Sequence, residues 1–437
     1  MTRITFATSA LTLATLLPVV HAQKFVCGAA KSGYTTLTAA SAYTEATPGF
    51  DLDTTPTISA KSCSSDKPFF FSAAVPEGNY RVTVVLGTDK ASTTTVWAEA
   101  RRLMLEKIPT QPNASAKRTF DVNVRYPEFT DAVGTVQHVH LKPRERNGNM
   151  DWDHKLTLEF NGDNPSVRSI EIKPIKKEPT IYIAGDSTVV DQDVEPWTAW
   201  GQILPRFLRP GVVVANHAES GETIKSFVSE RRFDKIFTQI KPGDYLFMQF
   251  AHNDQKINHK TGQPVVPIDE YKSLLIEYIA KARAAGATPV LVTSMNRRTF
   301  DDAGHITNSL AGYPDAMREV AHEQHTALID LNAMSKTLFE AMGPEGAKKA
   351  FMHFPANAYP NQTKAISDDT HFNSYGAYEL ARCIVDGIRQ NNLPLKKFLT
   401  KDAVEFNPAH PDSQPDFHLP ATPIPASTPD VMKVPQT

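Results

Sequence analysis

From Thr180 onward, short apolar runs alternate with longer helical patterns, and few folds accept that rhythm. The runs are Ile181-Tyr-Ile-Ala184, Val212-Val-Val-Ala215, Tyr245 to Phe250, Pro289-Val-Leu-Val-Thr293 and Ala327-Leu-Ile-Asp-Leu331. Helical spacing covers Trp197 to Leu208, Thr223 to Ile240, Ile268 to Ala285 and Pro314 to His325. Further helices follow at about Ser335–Ala341 and Ser374–Gln390. Strands alternating with helices predict a parallel sheet covered on both faces. In such sheets ligands bind beyond the carboxyl ends of the strands, so the residues that follow each strand are the ones to inspect.

The chain before this point obeys a different rule. Tyr80 to Leu86, Thr119 to Arg125, His138 to Leu141 and Lys155 to Phe160 read as short strands, and turn clusters such as Pro76-Glu77-Gly78-Asn79 separate them. Many short strands with few helical stretches predict an all-β sandwich, jelly-roll-like, over residues 23–174. Lys173 to Thr180, with Pro174 and Pro179 among charged residues, looks like a connector, and we set the linker at 175–180. The α/β part then spans 181–400. Residues 401–437 are proline-rich and without apolar period, and we expect an extended or disordered tail.

The first 22 residues are expected to be a secretory signal peptide. Arg3 gives a basic start, Ile4 to Val20 is apolar and small, and Val20-His21-Ala22 fits cleavage after Ala22. As a membrane anchor the run is short, and Pro18 interrupts it. Export would permit a disulfide between Cys27 and Cys63, although spacing alone does not pair them. Cys383, in a helical stretch, reads as a buried small hydrophobe. The net charge of -2 gives no reason to invoke nucleic acid or a membrane as partner.

Three strand ends collect unusual polar residues: Gly185-Asp-Ser-Thr188, Asn216-His-Ala-Glu-Ser-Gly221 and Ala251-His-Asn-Asp254. A fourth block, Ser367-Asp-Asp-Thr-His-Phe372, precedes the last helix. Each alone is ordinary turn or capping chemistry. Their joint occurrence, in this order and at these places in an α/β pattern, is what asks for a function.

Together the blocks resemble those of the SGNH, or GDSL-type, hydrolase family over about Ile181 to Gln390. The resemblance implies a three-layer fold, no cofactor, no metal and a serine ester hydrolase. Ser187 matches the nucleophile, His371 the base and Asp368 its partner, with Asp369 as the neighbouring competitor. Ser187, Gly221 and Asn253 match the oxyanion-hole donors. A serine hydroxyl needs such a base to become a nucleophile, and the tetrahedral oxyanion needs such donors. His252 and Glu222 are candidate substrate contacts. Within the family, Gly-Asp-Ser-Thr, and Asp-Asp-Thr-His-Phe-Asn followed by Gly376, are most similar to rhamnogalacturonan acetylesterases. That implies an acetylated pectic polysaccharide as the partner. Two departures stand out. Gly221-Glu222-Thr223 replaces the Gly-Arg-Ser often found in this branch, and Ala251 replaces a glycine.

Other readings are an acetylxylan esterase, a lipase or thioesterase of the same fold, and a non-catalytic carbohydrate-binding protein. Tyr80, Trp97 and Trp152 would serve the last by stacking on sugars, although core packing is their more ordinary use. No Gly-x-Ser-x-Gly elbow is present. His322-Glu-Gln-His325 has the wrong spacing for a zinc protease. Polar residues at the strand ends favour a polar ligand over a lipid. Nothing in the sequence bears on oligomeric state.

Overall fold

The computed structural model describes residues 22–146, 150–359 and 362–423. Residues 1–21 of the expected signal peptide and the last part of the tail, 424–437, lie outside the described residues. Among the described residues no helix is long and apolar enough to cross a membrane.

The N-terminal half is built on two five-stranded sheets, with a three-stranded and a two-stranded sheet beside them. One has the order Ala116–Val124, Gly78–Leu86, Ser169–Ile175, Gln23–Cys27, Thr35–Leu37. The other has the order Gly49–Asp51, Phe69–Ala74, Lys155–Asp163, Ser92–Ala98, Arg102–Thr110. All neighbours are antiparallel except Gln23–Cys27 with Thr35–Leu37. Strand alternation decides which side chains enter the core. In Gly78–Leu86, Tyr80, Val82, Val84 and Leu86 are buried and the residues between them are less so. They share one core with Phe71, Ala73, Val96 and Leu158 of the second sheet. Cys27 and Cys63 form a disulfide with Cα atoms 5.4 Å apart, and Cys383 is a buried free thiol. The strand expected at His138–Leu141 is shorter, at Val136–His138. Beyond it the chain leaves the sheet, and the His140 N–H donates to the Glu230 carbonyl of the other half at 2.9 Å.

The connector is tighter than expected. The strand Ser169–Ile175 runs on to Ile175, and the first strand of the second half begins at Thr180. That half holds five parallel strands, β1 (Thr180–Gly185), β2 (Val213–Asn216), β3 (Tyr245–Gln249), β4 (Thr288–Val292) and β5 (Ala327–Ile329), in the order β2-β1-β3-β4-β5. Alternate residues face opposite layers. Ile181, Ile183, Phe247 and Val290 pack with α4 (Ser374–Gln390). Tyr182, Leu246, Met248 and Leu291 pack with α1 (Ile268–Ala284) and α2 (Tyr313–Glu323). The helix α3 (Leu331–Lys348) lies between α2 and α4 in the chain and kinks at Gly343-Pro344.

Two helical expectations are broken up by tertiary structure. The stretch from Thr223 to Ile240 splits into Ile224–Ser229 and Arg232–Phe237, with Arg231 left-handed between them. The second piece thereby aims Arg232 at Glu145 and Lys235 at Glu77, both in the N-terminal half. Trp197 to Leu208 forms α-helix only over Trp200–Ile203 and tightens to a 3-10 turn at Pro205. The described part of the proline-rich segment, up to residue 423, has only a short 3-10 turn at Gln414–Asp416 and is pinned to the body. Ala403 and Phe406 are buried. Thr422 Oγ1 donates to Glu159 at 2.9 Å, and its N–H donates to Glu195 at 3.1 Å. Hydrogen bonding to the body supplies what the missing apolar period does not.

The halves meet through buried charges. Arg102 of the N-terminal half reaches Asp151 at 2.7 Å and Asp191 of the second half at 2.8 Å. Arg125 reaches Asp151 at 2.9 Å, and Arg101 reaches Glu195 at 2.5 Å. Trp97 and Leu103 join the core of the second half. Trp152 is buried between the Arg125 guanidinium and the His217 ring, and Tyr80 lies in the core shared by the two N-terminal sheets. The three aromatics weighed as sugar platforms are therefore packing residues. Arg102→Met leaves two buried carboxylates with one cation fewer. We expect a loss of about 3–5 kcal/mol in unfolding free energy, read by denaturant titration of the whole chain. A change within about 0.5 kcal/mol would mean that the junction is not held this way.

Candidate active site

Ser187 sits on a turn made by the residues around it. Asp186 accepts from the Thr188 N–H at 2.9 Å and from the Thr188 hydroxyl at 2.7 Å. The Val189 and Val190 N–H groups close on the Asp186 carbonyl at 3.0 and 3.1 Å. The Gln249 amide donates to the Thr188 hydroxyl at 2.8 Å and ties the turn to β3. Gly185 is needed for this approach, because a Cβ there would lie 2.8 Å from the Val189 side chain and 3.0 Å from the Gln249 carbonyl. The threonine of the Gly-Asp-Ser-Thr block is thus a structural member of the turn.

His371 and Asp368 lie on a strand. That strand, β7 (Ile366–Phe372), pairs antiparallel with β6 (Phe351–Phe354), and the pairing contains a bulge. Met352 faces Asp368 while its neighbour Phe351 faces Phe372, so Asp369, Thr370 and His371 are accommodated as extra residues. The bulge turns His371 back onto Asp368, with Nδ1 to Oδ2 at 2.7 Å. The other ring nitrogen, Nε2, lies 2.8 Å from the Ser187 hydroxyl. With Nδ1–H donated to the carboxylate, the Nε2 lone pair faces the serine proton. Asp369 is turned away, bonded to His353 at 2.7 Å and Arg298 at 2.6 Å. Geometry therefore separates the two adjacent aspartates.

The second and third blocks flank this relay. The chain after β2 continues alongside β1, with the His217 N–H on the Ile183 carbonyl at 2.9 Å and the Glu219 N–H on the Gly185 carbonyl at 3.1 Å. Gly221 follows with φ +80°, a conformation that favours glycine. The Asn253 side-chain amide donates to the Glu222 carbonyl at 2.9 Å, and Asp254 accepts from the Ile224 N–H at 2.8 Å. The loops carrying Gly221 and Asn253 are thus clamped together. Glu222 does not face solvent as a substrate contact would. Its side chain is fully buried against Lys142 and the Ser226 hydroxyl. His252 is buried too. Among the described residues its ring nitrogens have no hydrogen-bond partner, while its carbonyl accepts from Arg297 at 3.1 Å.

Burial and partners set the charges. Burial works against ionisation of Asp368, but the His371 hydrogen bond and charge, with the Thr370 and His371 N–H groups, bring its carboxyl down to about 2. Asp254 has no such help. Burial, reinforced by the charge of Asp186, pushes it up to about 8 against the Ile224 N–H and its own backbone N–H. Burial, then the nearby Arg297, holds His252 well below the usual histidine range, so it is neutral. Among the described residues no group of three His, Cys, Asp or Glu side chains is arranged to hold a metal ion.

Sequence reasoning missed three cations. Arg297, just past β4, donates through Nη2 to the His252 carbonyl and through Nε to the Thr370 hydroxyl at 3.2 Å. Its strand-end position was a usable signal. Lys142 and Arg144 come from the N-terminal half, and no local pattern marks them.

A parallel sheet with a hydrogen-bonded serine, histidine and aspartate at its carboxyl ends defines a class of protein, the serine hydrolases. Comparison with known proteins narrows the class. Residues 183–378 match the GDSL-like lipase/acylhydrolase family. The chain is 42% identical to the rhamnogalacturonan acetylesterase RhgT of Bacillus subtilis (strain 168), over 52% of this chain and 96% of that one. It is 37% identical to the probable rhamnogalacturonan acetylesterase YesY of the same organism, over 51% and 98%. The crystal structure of Bacillus subtilis YxiM aligns over 85% of this chain and 99% of that one, with 24% identity and a TM-score of 0.46. The chain belongs to the GDSL-like lipase/acylhydrolase family.

Two outcomes follow from the geometry. Asp368→Asn should lower kcat by about 10⁴-fold, as loss of the orienting carboxylate does in such relays, while Asp369→Asn leaves kcat near the wild-type value. Steady-state kinetics of both variants decides which aspartate serves His371. The second outcome concerns stability. The unfolded chain gives up the Asp254 proton near pH 4, whereas the folded chain holds it to about pH 8. Between these values unfolding releases a proton, so stability falls as pH rises. Asp254→Asn should flatten that part of the melting-temperature profile, and an unchanged slope would reject the assignment.

Proposed function

We propose that this protein is a secreted carbohydrate O-acetylesterase acting on acetylated plant cell-wall polysaccharide, with rhamnogalacturonan as the substrate. The observation that carries the reading is the unbroken relay from Ser187 through His371 to Asp368. Ser187 Oγ attacks the acetyl carbonyl carbon while His371 Nε2 takes its proton. The oxyanion so formed is met by the Ser187 and Gly221 N–H groups and the Asn253 amide. Collapse breaks the bond to the sugar oxygen, which leaves with the proton held on His371. Water then attacks the acetyl-serine with His371 as base, and acetate departs.

Several features support the substrate class. Two relatives that align over nearly their whole length are named for rhamnogalacturonan deacetylation. Ser187 is 9% exposed and the His371 side chain 25%, so the reacting atoms lie near the surface, within reach of a polymer. The disulfide and the N-terminal signal pattern favour export. We read the two sheets as a jelly-roll-like module over 23–174 placed before a hydrolase body over 181–400. Polar residues at the strand ends favour a sugar ester over a lipid, which would ask for an apolar cleft.

Ser187→Ala should cut acetate release by about 10⁴-fold or more with the fold intact by circular dichroism. Wild-type enzyme should cleave acetyl esters rapidly and octanoyl esters negligibly. Across acetylated pectic rhamnogalacturonan, xylan and mannan, acetate release should be fastest from the first. Preference for xylan would change the substrate but keep the chemistry, whereas undiminished release by Ser187→Ala would end the proposal.

A further inference from the structure

The loop bearing Gly221 is held from outside by residues of the other half. Lys142 Nζ donates to the Ser220 carbonyl at 2.6 Å and pairs with the Glu222 carboxylate, so it grips the residues on both sides of Gly221. Its ammonium lies 3.6 Å from where a Cβ on Gly221 would be. Arg144 forks onto Glu219 at 2.6 and 2.9 Å. Its third contact, 3.0 Å to Asp193, ties the same guanidinium to the loop that follows Ser187. Glu145 fixes this short segment. It accepts the Lys142 N–H at 2.9 Å and takes the buried Arg232 in a two-point pair at 3.0 and 2.6 Å. A bidentate arginine restrains its partner in direction as well as distance.

A left-handed glycine flanked by polar residues has little packing of its own to fix its N–H. An oxyanion donor is effective only when already aimed, since reorganising it during the reaction forfeits the gain. Lys142 is not a ready ligand for an anionic sugar, because Glu222 neutralises it and Glu230 stands 3.8 Å away. Its contacts point to holding the loop.

We infer that the N-terminal β half is a working part of the esterase site: Lys142 and Arg144 are positioning residues that fix the Gly221 N–H for the tetrahedral intermediate. The inference rests on the serine-esterase reading above.

The test uses the full chain and 4-nitrophenyl acetate, with Ser187→Ala beside it. Lys142→Met and Arg144→Met should each lower kcat by about 10–100-fold, the range expected of a displaced catalytic group, with KM within a factor of about three. Affinity for a methylboronic acid, which forms a tetrahedral adduct on serine, should fall by the same factor as kcat. Lys142→Arg should recover most of the rate. Lys142→Met strands the buried Glu222, so the double variant Lys142→Met/Glu222→Gln removes both charges. It should remain slow, because the tether to the Ser220 carbonyl is still missing. Wild-type kcat in the single variants, or full recovery in the double variant, overturns the inference. So does a loss of rate that leaves boronate affinity unchanged. If Ser187→Ala itself stays active, the esterase reading fails instead, and the two failures are told apart.

Discussion

Four charged side chains at the junction of the two halves govern the placement of everything near Ser187. Arg102 and Arg125 enter from the β half, Asp151 comes from the same half, and Asp191 comes from the chain just after the nucleophile turn. All are buried, and burying ions costs several kcal/mol each unless they meet partners in good geometry. Here the geometry exists only when the halves are together. Asp191 also accepts from the Asn216 amide at 2.8 Å, and the same amide donates to the Val189 carbonyl at 2.8 Å. One cluster therefore sets the turn after β1, the start of the loop after β2, and the face of the β half against which both rest.

Within that frame, the relay depends on a local irregularity. A regular strand alternates its side chains, so residues three apart point to opposite faces. Asp368 and His371 nevertheless converge, because the bulge against Phe351 and Met352 absorbs the residues between them. The same bulge gives Asp369 to Arg298 and His353. Adjacent carboxylates are thus assigned different partners by a backbone device. Because Asp369 is paired elsewhere, it does not compete for the imidazole.

Much of this was legible in the sequence. The strand and helix rhythm located the parallel sheet, and α4 begins and ends where the pattern put it. Among the four polar blocks, the family resemblance gave Ser187, His371 and Asp368 the roles that their hydrogen bonds fit. What was not legible depends on contacts between distant residues. Glu222 looked like a residue at the site because its neighbours in sequence are there, yet its carboxylate meets Lys142, a residue eighty positions earlier. The helix after Thr223 looked continuous because nothing local announces that Arg232 will turn toward Glu145. The tail looked unable to order because periodicity detects apolar faces and not a threonine hydroxyl bonded to a buried glutamate.

The same logic bears on what the β half contributes. A module that grips polysaccharide does so with exposed aromatic faces, and Tyr80, Trp97 and Trp152 are buried in the core or at the junction. Arg102, Arg101 and Arg144 are likewise turned toward Asp191, Glu195 and Glu219. Side chains committed to the interior cannot also bind a ligand from solvent. The interactions this half makes are with loops of its neighbour, and those loops carry the nucleophile turn and the left-handed glycine. Under the proposed function, binding of the sugar chain would fall to the strand-end loops, which carry His371 on Ser187 and Arg297 on Thr370. Shape and charge in those loops, more than any separate binding module, would decide which acetylated polymer is accepted.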